Sequence, residues 1–222
     1  MIPEYIPGED FRVKEVFHSA LIDEIIIQIR NKNFVINDKV DGNFPNHHPD
    51  PTIPKNLIAL QELIKEKKCD VGFAFDGDGD RLGIVDNEGQ IIWADKYMII
   101  LAEEISKKYS SAPIIMDVKS SKVFFDEVKK LGCKPIMYKT GHSVIKDKMI
   151  KIKSPLSGEL SGHVMYKDDF YGYDDAMYAA LRLLKVLSNE DLSLNELISL
   201  FPETISTPEI RIEVLEERKF KI

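Results

Sequence analysis

The chain has 222 residues, of which 44% are hydrophobic and 30% are charged, a balance that predicts one or two folded domains with a buried core. Its formal net charge of −7 argues against a nucleic-acid-binding protein, which would carry a basic surplus. The apolar runs are too short to span a bilayer and the first ten residues do not resemble a secretion signal, so we expect a cytoplasmic protein without membrane contact.

Hydrophobic periodicity and turn residues mark the elements in the first part of the chain. They predict an irregular segment over 1–14, a helix over 14–30, a short strand over 34–36, a proline-punctuated loop over 41–54, a helix carrying Leu57, Leu60 and Ile64, and a buried strand over 71–75. Two short apolar runs then flank a polar turn at 86–89, which is typical of a β-hairpin.

After the hairpin, strands alternate with helices. The same signals predict a helix over 95–109, a strand over 114–118, a helix over 121–131, a strand over 135–138, a short helix after Gly141, a strand–turn–strand segment over 156–167, helices over 174–187 and 193–201, and a strand over 210–214. This alternation predicts an α/β fold of two consecutive units with mixed, largely parallel sheets packed against helices. Ligands bind beyond the carboxyl ends of such strands, where Asp76, Lys119 and Lys139 are expected.

The segment 76–81 reads Asp-Gly-Asp-Gly-Asp-Arg and directly follows a predicted buried strand. Its glycines permit the tight backbone that three converging carboxylates need, and oxygen ligands select Mg²⁺, Ca²⁺ or Mn²⁺ over softer metals. A solvated acidic turn is a poorer explanation beside a buried strand, and an EF-hand would need glycine and glutamate where Arg81 and Asn87 stand. A phosphatase with Asp76 as nucleophile also fits this segment, so the loop alone does not decide between them.

Four segments together resemble the α-D-phosphohexomutase superfamily, in particular the bacterial phosphomannomutase/phosphoglucomutase group. They are DGNFPNHHPDP at 41–51, FDGDGDR at 75–81, KTGHS at 139–143 and GELSGH at 158–163. The resemblance implies a mutase that interconverts hexose 1-phosphates and 6-phosphates through a phosphoserine and a bisphosphorylated sugar. Its substrate would be a mannose or glucose phosphate, and the resemblance does not say which is preferred.

The resemblance also implies roles for individual residues. Mg²⁺ would be held by Asp76, Asp78 and Asp80; Arg81, Lys119 and His163 would serve catalysis; and the sugar phosphate would be bound by His142, Gly158, Glu159 and Ser161. For His142, His163 and Lys119 the plainer interpretation is an ordinary structural or solvated side chain. The adjacent His47 and His48 are expected to point apart on an extended loop, and we interpret them as loop structure.

The resemblance covers part of the family's second domain, at 15–90, and its third domain, at 91–205, with 206–222 leading toward a fourth. The first unit is therefore expected to be incomplete, and the motifs for the phosphoserine and the phosphate clamp do not occur in the sequence. We expect weak Mg²⁺ binding and no mutase activity from this chain alone, with a partner chain as one possible source of the missing parts. A non-catalytic relic or binding subunit, and less favourably the phosphatase, remain as alternatives.

Overall fold

A computed structural model describes residues 33–39 and 41–203, together with the backbone of 15–18. In this described part of the chain, nine strands form two sheets. Strands β1 to β9 are Glu15–His18, Phe34–Val35, Val71–Phe75, Leu82–Asp86, Ile91–Ile92, Pro113–Asp117, Lys134–Tyr138, Leu156–Gly158 and Val164–Tyr166. Helices α1 to α6 are Ile58–Lys67, Ala94–Lys108, Lys122–Lys130, His142–Ile152, Ala176–Leu187 and Leu194–Ser199, and a 3₁₀ turn over Pro54–Leu57 precedes α1.

The first sheet has the order β2-β1-β3-β4-β5. Strand β1 pairs in parallel with β2 and β3, whereas β4 is antiparallel to both of its neighbours, as the hairpin signal predicted. Leu60 and Ile64 of α1 pack over Gly72 so closely that a Cβ there would stand 2.5 Å from the Ile64 side chain. The helix therefore fixes the direction of β3, and with it the position at which the acidic loop begins.

The second sheet has the order β7-β6-β8-β9, with β7, β6 and β8 parallel and β9 antiparallel to β8. Alternate side chains of β6 point to opposite faces. Ile114 and Met116 join the core beneath α2, α3 and α5, whereas Ile115 packs against Ile145 and Met149 of α4. This sheet is thus covered by helices on both faces, which explains its almost continuously apolar strands.

One hydrophobic core runs through both units. Phe73 and Ile84 of the first sheet belong to the same buried cluster as Phe124 and Leu156 of the second. Helix α5 contacts β3 and β4 as well as β9, so it lies between the sheets and is shared by them. The predicted fold class is confirmed, and the two units pack as a single body.

The helix predicted over 14–30 is wrong at its start, because Glu15–His18 is a strand between β2 and β3. The rest of that helix, the irregular segment 1–14 and the strand over 210–214 lie outside the described residues. The two short predicted strands over 156–167 and the predicted helices from residue 95 to 201 are confirmed to within a few residues at their ends. None of the helices in the described residues combines the length and the apolar composition that a membrane span requires.

Candidate active site

The acidic loop leaves β3 at its carboxyl end and coils around the carboxylate of Asp76. That carboxylate is buried and accepts hydrogen bonds from the backbone N–H groups of Asp80 and Arg81, both at 3.0 Å. Gly79 has a φ of 74°, a conformation that glycine adopts without strain. The loop is thereby closed so that one carboxylate oxygen each from Asp76, Asp78 and Asp80 lies within 4.8 Å of the others.

Arg81 connects this loop to the proline-rich loop that precedes α1. Its Nε donates to Asp76 Oδ2 at 2.6 Å and its Nη1 donates to Asp50 Oδ1 at 3.2 Å. Thr52 donates two further hydrogen bonds to Asp50. Burial tends to raise the pKa of Asp76, but the hydrogen bonds and charge of Arg81 outweigh it and the pKa lies below its ordinary value. Both carboxylates are therefore held in their charged form.

The donor set of the loop fits a hard divalent cation. Three carboxylates supply only oxygen ligands, which Mg²⁺ prefers, and Asp78 is exposed, which leaves room for water or a phosphate oxygen. Burial raises the pKa of Asp80, and repulsion from Asp76 and Asp78 adds to this rise although the charge of His163 opposes it. A bound cation would relieve that repulsion.

The segment 158–163 begins at the end of β8 and carries three interacting polar side chains. Glu159 is buried and its Oε1 accepts a hydrogen bond from the backbone N–H of Gly141. His163 Nδ1 lies 3.0 Å from Glu159 Oε2 and 2.9 Å from Ser161 Oγ. Burial would lower the pKa of His163, but the hydrogen bond to Glu159 and the charges of Asp80 and Glu159 raise it above its ordinary value.

The acidic loop and the segment 158–163 are joined directly through their backbones. The N–H of Leu82 donates to the carbonyl of Gly162 at 3.0 Å, and Arg81 pairs with His163 as an antiparallel bridge. A Cβ on Gly162 would stand 2.6 Å from the Leu82 carbonyl oxygen, so only glycine permits this approach. As a result, His163 Nε2 lies 3.4 Å from Asp80 Oδ1. We call this contact between the two loops the loop junction.

His142, at the start of α4, completes the polar cluster. Its ring stacks on that of His163 with centroids 5.0 Å apart. Its Nδ1 lies 2.8 Å from Asp174 Oδ2, while Lys146 Nζ lies 2.8 Å from the other oxygen of Asp174. Burial tends to raise the pKa of Asp174, but the hydrogen bonds from Lys146 and His142 lower it below its ordinary value. The sequence did not single out Asp174, and its local signal is a pair of aspartates at the start of a predicted helix.

Asp117, at the end of β6, is a second residue that the sequence did not single out. It is fully buried, and its Oδ1 accepts from the Ser120 hydroxyl at 2.9 Å and from the backbone N–H of Leu160 at 3.0 Å. Its Oδ2 accepts from the Thr140 hydroxyl at 2.9 Å. One carboxylate therefore holds the segments 139–143 and 158–163 together. The sequence does contain one signal for Asp117, namely a charged residue at the end of an otherwise apolar strand.

Two of the predicted site residues, Lys119 and Gly158, have no side chain in contact with the polar cluster. Lys119 is exposed, just past the end of β6, and makes no ion pair or hydrogen bond with any residue that the structure describes. Gly158 is buried, and a Cβ there would touch the side chains of Met98 and Met116. Close packing explains glycine at this position. The roles of both residues in catalysis and substrate binding stay predictions.

Comparison with known proteins identifies the family to which the chain belongs. Residues 16–89 match the model described as "Phosphoglucomutase/phosphomannomutase, alpha/beta/alpha domain II", and residues 93–204 match the corresponding model of domain III. The chain belongs to the phosphoglucomutase/phosphomannomutase family. Both loops of the junction lie inside the matched ranges, the acidic loop in the first and the segment 158–163 in the second.

Relatives in this family are considerably longer than the matching region. The chain is 47% identical to a phosphomannomutase/phosphoglucomutase from Pseudomonas aeruginosa over 184 residues, covering 83% of this chain and 40% of that protein. It is 36% identical to a phosphomannomutase from Methanocaldococcus jannaschii, covering 88% of this chain and 43% of the relative. The chain thus spans about two fifths of the length of these relatives.

Solved structures of the family have the same fold. A phosphoglucomutase/phosphomannomutase family protein from Burkholderia thailandensis aligns with a TM-score of 0.84 at 40% identity, covering 88% of this chain and 44% of that structure. An N-acetylphosphoglucosamine mutase from Aspergillus fumigatus, solved with GlcNAc-6P and magnesium, aligns with a TM-score of 0.68 at 12% identity, covering 89% of this chain and 47% of that structure. At 12% identity, the second alignment shows only that the two proteins share a fold.

Proposed function

We propose that this chain provides the metal-binding and sugar-binding loops of a phosphohexomutase that interconverts hexose 1-phosphates and 6-phosphates through a phosphoserine and a bisphosphorylated intermediate. The loop junction carries this proposal. It brings a cluster of oxygen ligands suited to Mg²⁺ within 3.4 Å of a histidine whose other ring nitrogen faces a buried glutamate. Phosphoryl transfer asks a protein mainly to position groups and to compensate charge, and these residues can do both.

In the acidic loop, Asp76, Asp78 and Asp80 would hold the cation. When bound, Mg²⁺ would supply positive charge against the oxygens of the phosphoryl group. Arg81 is already fixed between Asp50 and Asp76. Its remaining N–H groups would donate to phosphate oxygens, for which the planar guanidinium is well suited.

In the segment 158–163, Glu159 and Ser161 would bind hydroxyl groups of the hexose, with Glu159 as acceptor and Ser161 as donor or acceptor. His163 would hold the proton that moves to or from the reacting sugar oxygen, because Glu159 and Asp80 stabilise its charged form. His142 would bind the sugar phosphate beside it. Lys119, which is exposed at the same sheet edge, would reach the phosphoryl group with its flexible side chain.

The activity of the whole enzyme needs a phosphoryl donor and a phosphate clamp, and motifs for these do not occur in the sequence. Because the chain matches about 40% of the length of its bacterial relatives, we propose that these parts come from further residues of a longer protein or from a partner chain. The domain boundaries at 15–90 and 91–205 and the cytoplasmic location stay predictions.

The geometry favours the mutase over a phosphatase that uses Asp76 as nucleophile. Both carboxylate oxygens of Asp76 accept hydrogen bonds from Asp80 or Arg81, and the side chain is 2% exposed. A nucleophilic oxygen must be free to meet the phosphorus atom in line. A non-catalytic subunit that binds sugar phosphate would use the same residues as the mutase, and the two differ only in turnover.

Calorimetric titration of the full chain with glucose 1-phosphate and mannose 1-phosphate in the presence of Mg²⁺ tests the proposal. We expect Glu159→Gln to weaken binding about tenfold, the loss of about 1.4 kcal/mol of a charge-assisted hydrogen bond. Glu103→Gln is the matched control, because Glu103 is half exposed and, among the described residues, forms an ion pair with Lys107 alone on the surface of α2. Equal effects of the two substitutions, or no sugar-phosphate binding at all, would contradict the proposal.

Calorimetric titration with Mg²⁺ in the absence of sugar phosphate measures the affinity of the chain for the cation. We expect binding weaker than micromolar, because the resemblance implies a further metal ligand from a phosphoserine that this sequence lacks. Asp78→Asn should weaken it further, since it replaces a charged carboxylate ligand with a neutral amide on an exposed side chain that makes no ion pair or hydrogen bond with the described residues. Micromolar affinity for Mg²⁺ in the unmodified chain would show that the three aspartates suffice.

A further inference from the structure

Four side chains from four separate segments converge beside the acidic loop. They are Asp80, His142, His163 and Asp174, and one potential ligand atom from each lies within 4.8 Å of the other three. Asp80 comes from the loop after β3, His142 from the start of α4, His163 from the end of the segment 158–163, and Asp174 from the segment before α5. We call these four residues the histidine–aspartate cluster.

One of the two histidines, His163, is arranged in the way that metal-binding histidines commonly are. His163 directs Nδ1 to Glu159 and Ser161, which leaves Nε2 facing Asp80 Oδ1 at 3.4 Å. A carboxylate behind the far nitrogen of a ligating imidazole fixes the ring and raises its basicity. The ring of His142 is nearly parallel to that of His163, with an interplanar angle of 17°, and its Nδ1 faces Asp174.

The donor set differs in kind from that of the acidic loop. Two imidazole nitrogens and two carboxylate oxygens suit Zn²⁺ and the similar ions Co²⁺ and Ni²⁺, whereas Mg²⁺ prefers oxygen alone. We propose that the histidine–aspartate cluster is a four-coordinate transition-metal site, separate from the Mg²⁺ loop except for the shared Asp80. A transition metal bound there withdraws Asp80 from the acidic loop and opposes the binding of Mg²⁺.

The distances require only modest side-chain movement. Tetrahedral Zn²⁺ with bonds of about 2.0–2.1 Å places its ligand atoms about 3.4 Å apart, so separations of up to 4.8 Å must close by about 1.4 Å at most. The His142 side chain is 46% exposed, so little surrounding packing opposes a small shift toward the other ligands. His163 and Asp174 are more buried and define the inner wall of the site.

Lys146 competes with a cation for this site. Its ammonium group lies 2.8 Å from Asp174 Oδ1, and it supplies the positive charge that Asp174 needs in the absence of metal. Removing that charge while leaving all four ligands in place should therefore strengthen metal binding. This expectation separates a metal site from a purely structural cluster, in which loss of Lys146 would only weaken the protein.

The test titrates the full chain with Co²⁺ and follows its visible absorption, which is intense for four-coordinate and weak for six-coordinate Co²⁺. We expect intense bands that Zn²⁺ abolishes, at least a tenfold loss of affinity in His142→Ala, and a gain of several-fold in Lys146→Ala. Asp78→Asn is the matched control, because Asp78 belongs to the acidic loop alone, and it should leave the bands unchanged.

Weak six-coordinate absorption in the unmodified chain would overturn the proposal. So would bands that vanish in Asp78→Asn, because the cobalt would then occupy the acidic loop, or unchanged or weaker cobalt binding in Lys146→Ala. Circular dichroism of each variant confirms folding, and Lys146→Ala decides the question even where His142→Ala proves unstable. Neither outcome depends on mutase activity or on sugar binding.

Discussion

At the scale of single residues, a buried aspartate stands at the end of an apolar strand at three places in the described residues. Asp76 follows β3, Asp86 ends β4 and Asp117 ends β6, and each is at most 3% exposed. Each accepts hydrogen bonds from the loop that follows: Asp76 from two backbone N–H groups, Asp86 from those of Glu88 and Gln90, and Asp117 from a hydroxyl. Among the described residues, only the first of these loops brings further carboxylates into a cluster that could hold a cation. An aspartate at such a position therefore indicates a fixed loop, and its neighbours decide whether the loop binds anything.

A different buried aspartate, Asp168, links helices α2 and α5. Its side chain accepts from Lys108 and Tyr109 at the end of α2 and from Arg182 of α5. Arg182 also pairs with Glu104 through two nitrogens. Burial tends to raise the pKa of Asp168, but the hydrogen bonds from Lys108, Tyr109 and Arg182 lower it below its ordinary value of 3.8.

We expect Asp168→Asn to destabilise the chain by about 3 kcal/mol at neutral pH, because a buried positive charge loses part of its compensation. A depressed pKa in the folded state stabilises the fold above the unfolded pKa of 3.8 and ceases to do so as pH falls through the folded value. The difference between variant and wild type should thus shrink below about pH 4. Urea unfolding at a series of pH values measures it.

Asp169→Asn provides the control for this pH series. Asp169 also pairs with Lys108, but its side chain is 73% exposed, so its loss should change the free energy of unfolding by less than about 1 kcal/mol. An equal effect of the two substitutions, or a difference for Asp168→Asn that persists undiminished in acid, would show that the charge of Asp168 is not what stabilises the helix pair.

At the scale of elements, the sequence predicts what local signals specify. The strand over 71–75 and the hairpin turn are correct because apolar runs and a glycine turn mark them directly. The strand Glu15–His18 was mistaken for helix because its partners, β2 and β3, lie far along the chain and leave no local trace. The same reason applies to the site. The motif residues could be named individually from the sequence, and their roles stay predictions. Asp174 and Asp117 could not, because they act through pairings with segments more than 20 residues away.

The loop junction depends on Gly162, which has a φ of 99° and almost touches the backbone of Leu82. We expect Gly162→Ala to cost about 3 kcal/mol, because it adds both backbone strain and a clash that parts the two loops. Hydrogen exchange of the Leu82 amide should report this separation, since that amide donates to Gly162.

Gly132→Ala isolates the contribution of strain. Gly132 has a φ of 79°, similarly unfavourable for alanine, but a Cβ there would meet no atom within 4 Å. We expect it to cost about 1 kcal/mol and to leave the Leu82 amide protected. Similar losses in the two variants, with Leu82 protected in both, would mean that the close approach at Gly162 contributes nothing.

At the scale of the whole molecule, the shared core predicts that the two units unfold together. Phe73 of the first sheet and Phe124 of α3 are each fully buried in the same cluster. We expect Phe73→Ala and Phe124→Ala each to cost about 3–5 kcal/mol and to move one common transition. Far-ultraviolet circular dichroism follows all helices, and the fluorescence of the single tryptophan, Trp93, follows the segment between the units.

The two signals should coincide in the wild type and in both variants. Tyr97 lies one turn from Trp93, is fully buried, and donates a hydrogen bond from its hydroxyl to the Leu82 carbonyl beside the loop junction. The exposure of its side chain to solvent on unfolding provides a third signal to compare with the other two. Two separate transitions, one sensitive to Phe73→Ala and the other to Phe124→Ala, would show that the units are independent despite their common core.

The hydrogen bond between Leu82 and Gly162 has a consequence for how a substrate could be handled. It connects the loop that carries the aspartates directly to the segment that carries the glutamate. If the chain acts on a hexose phosphate as proposed, a bound sugar would meet these two walls at a fixed separation. We then expect the sugar to exchange its two ends by turning against the walls, without the walls parting.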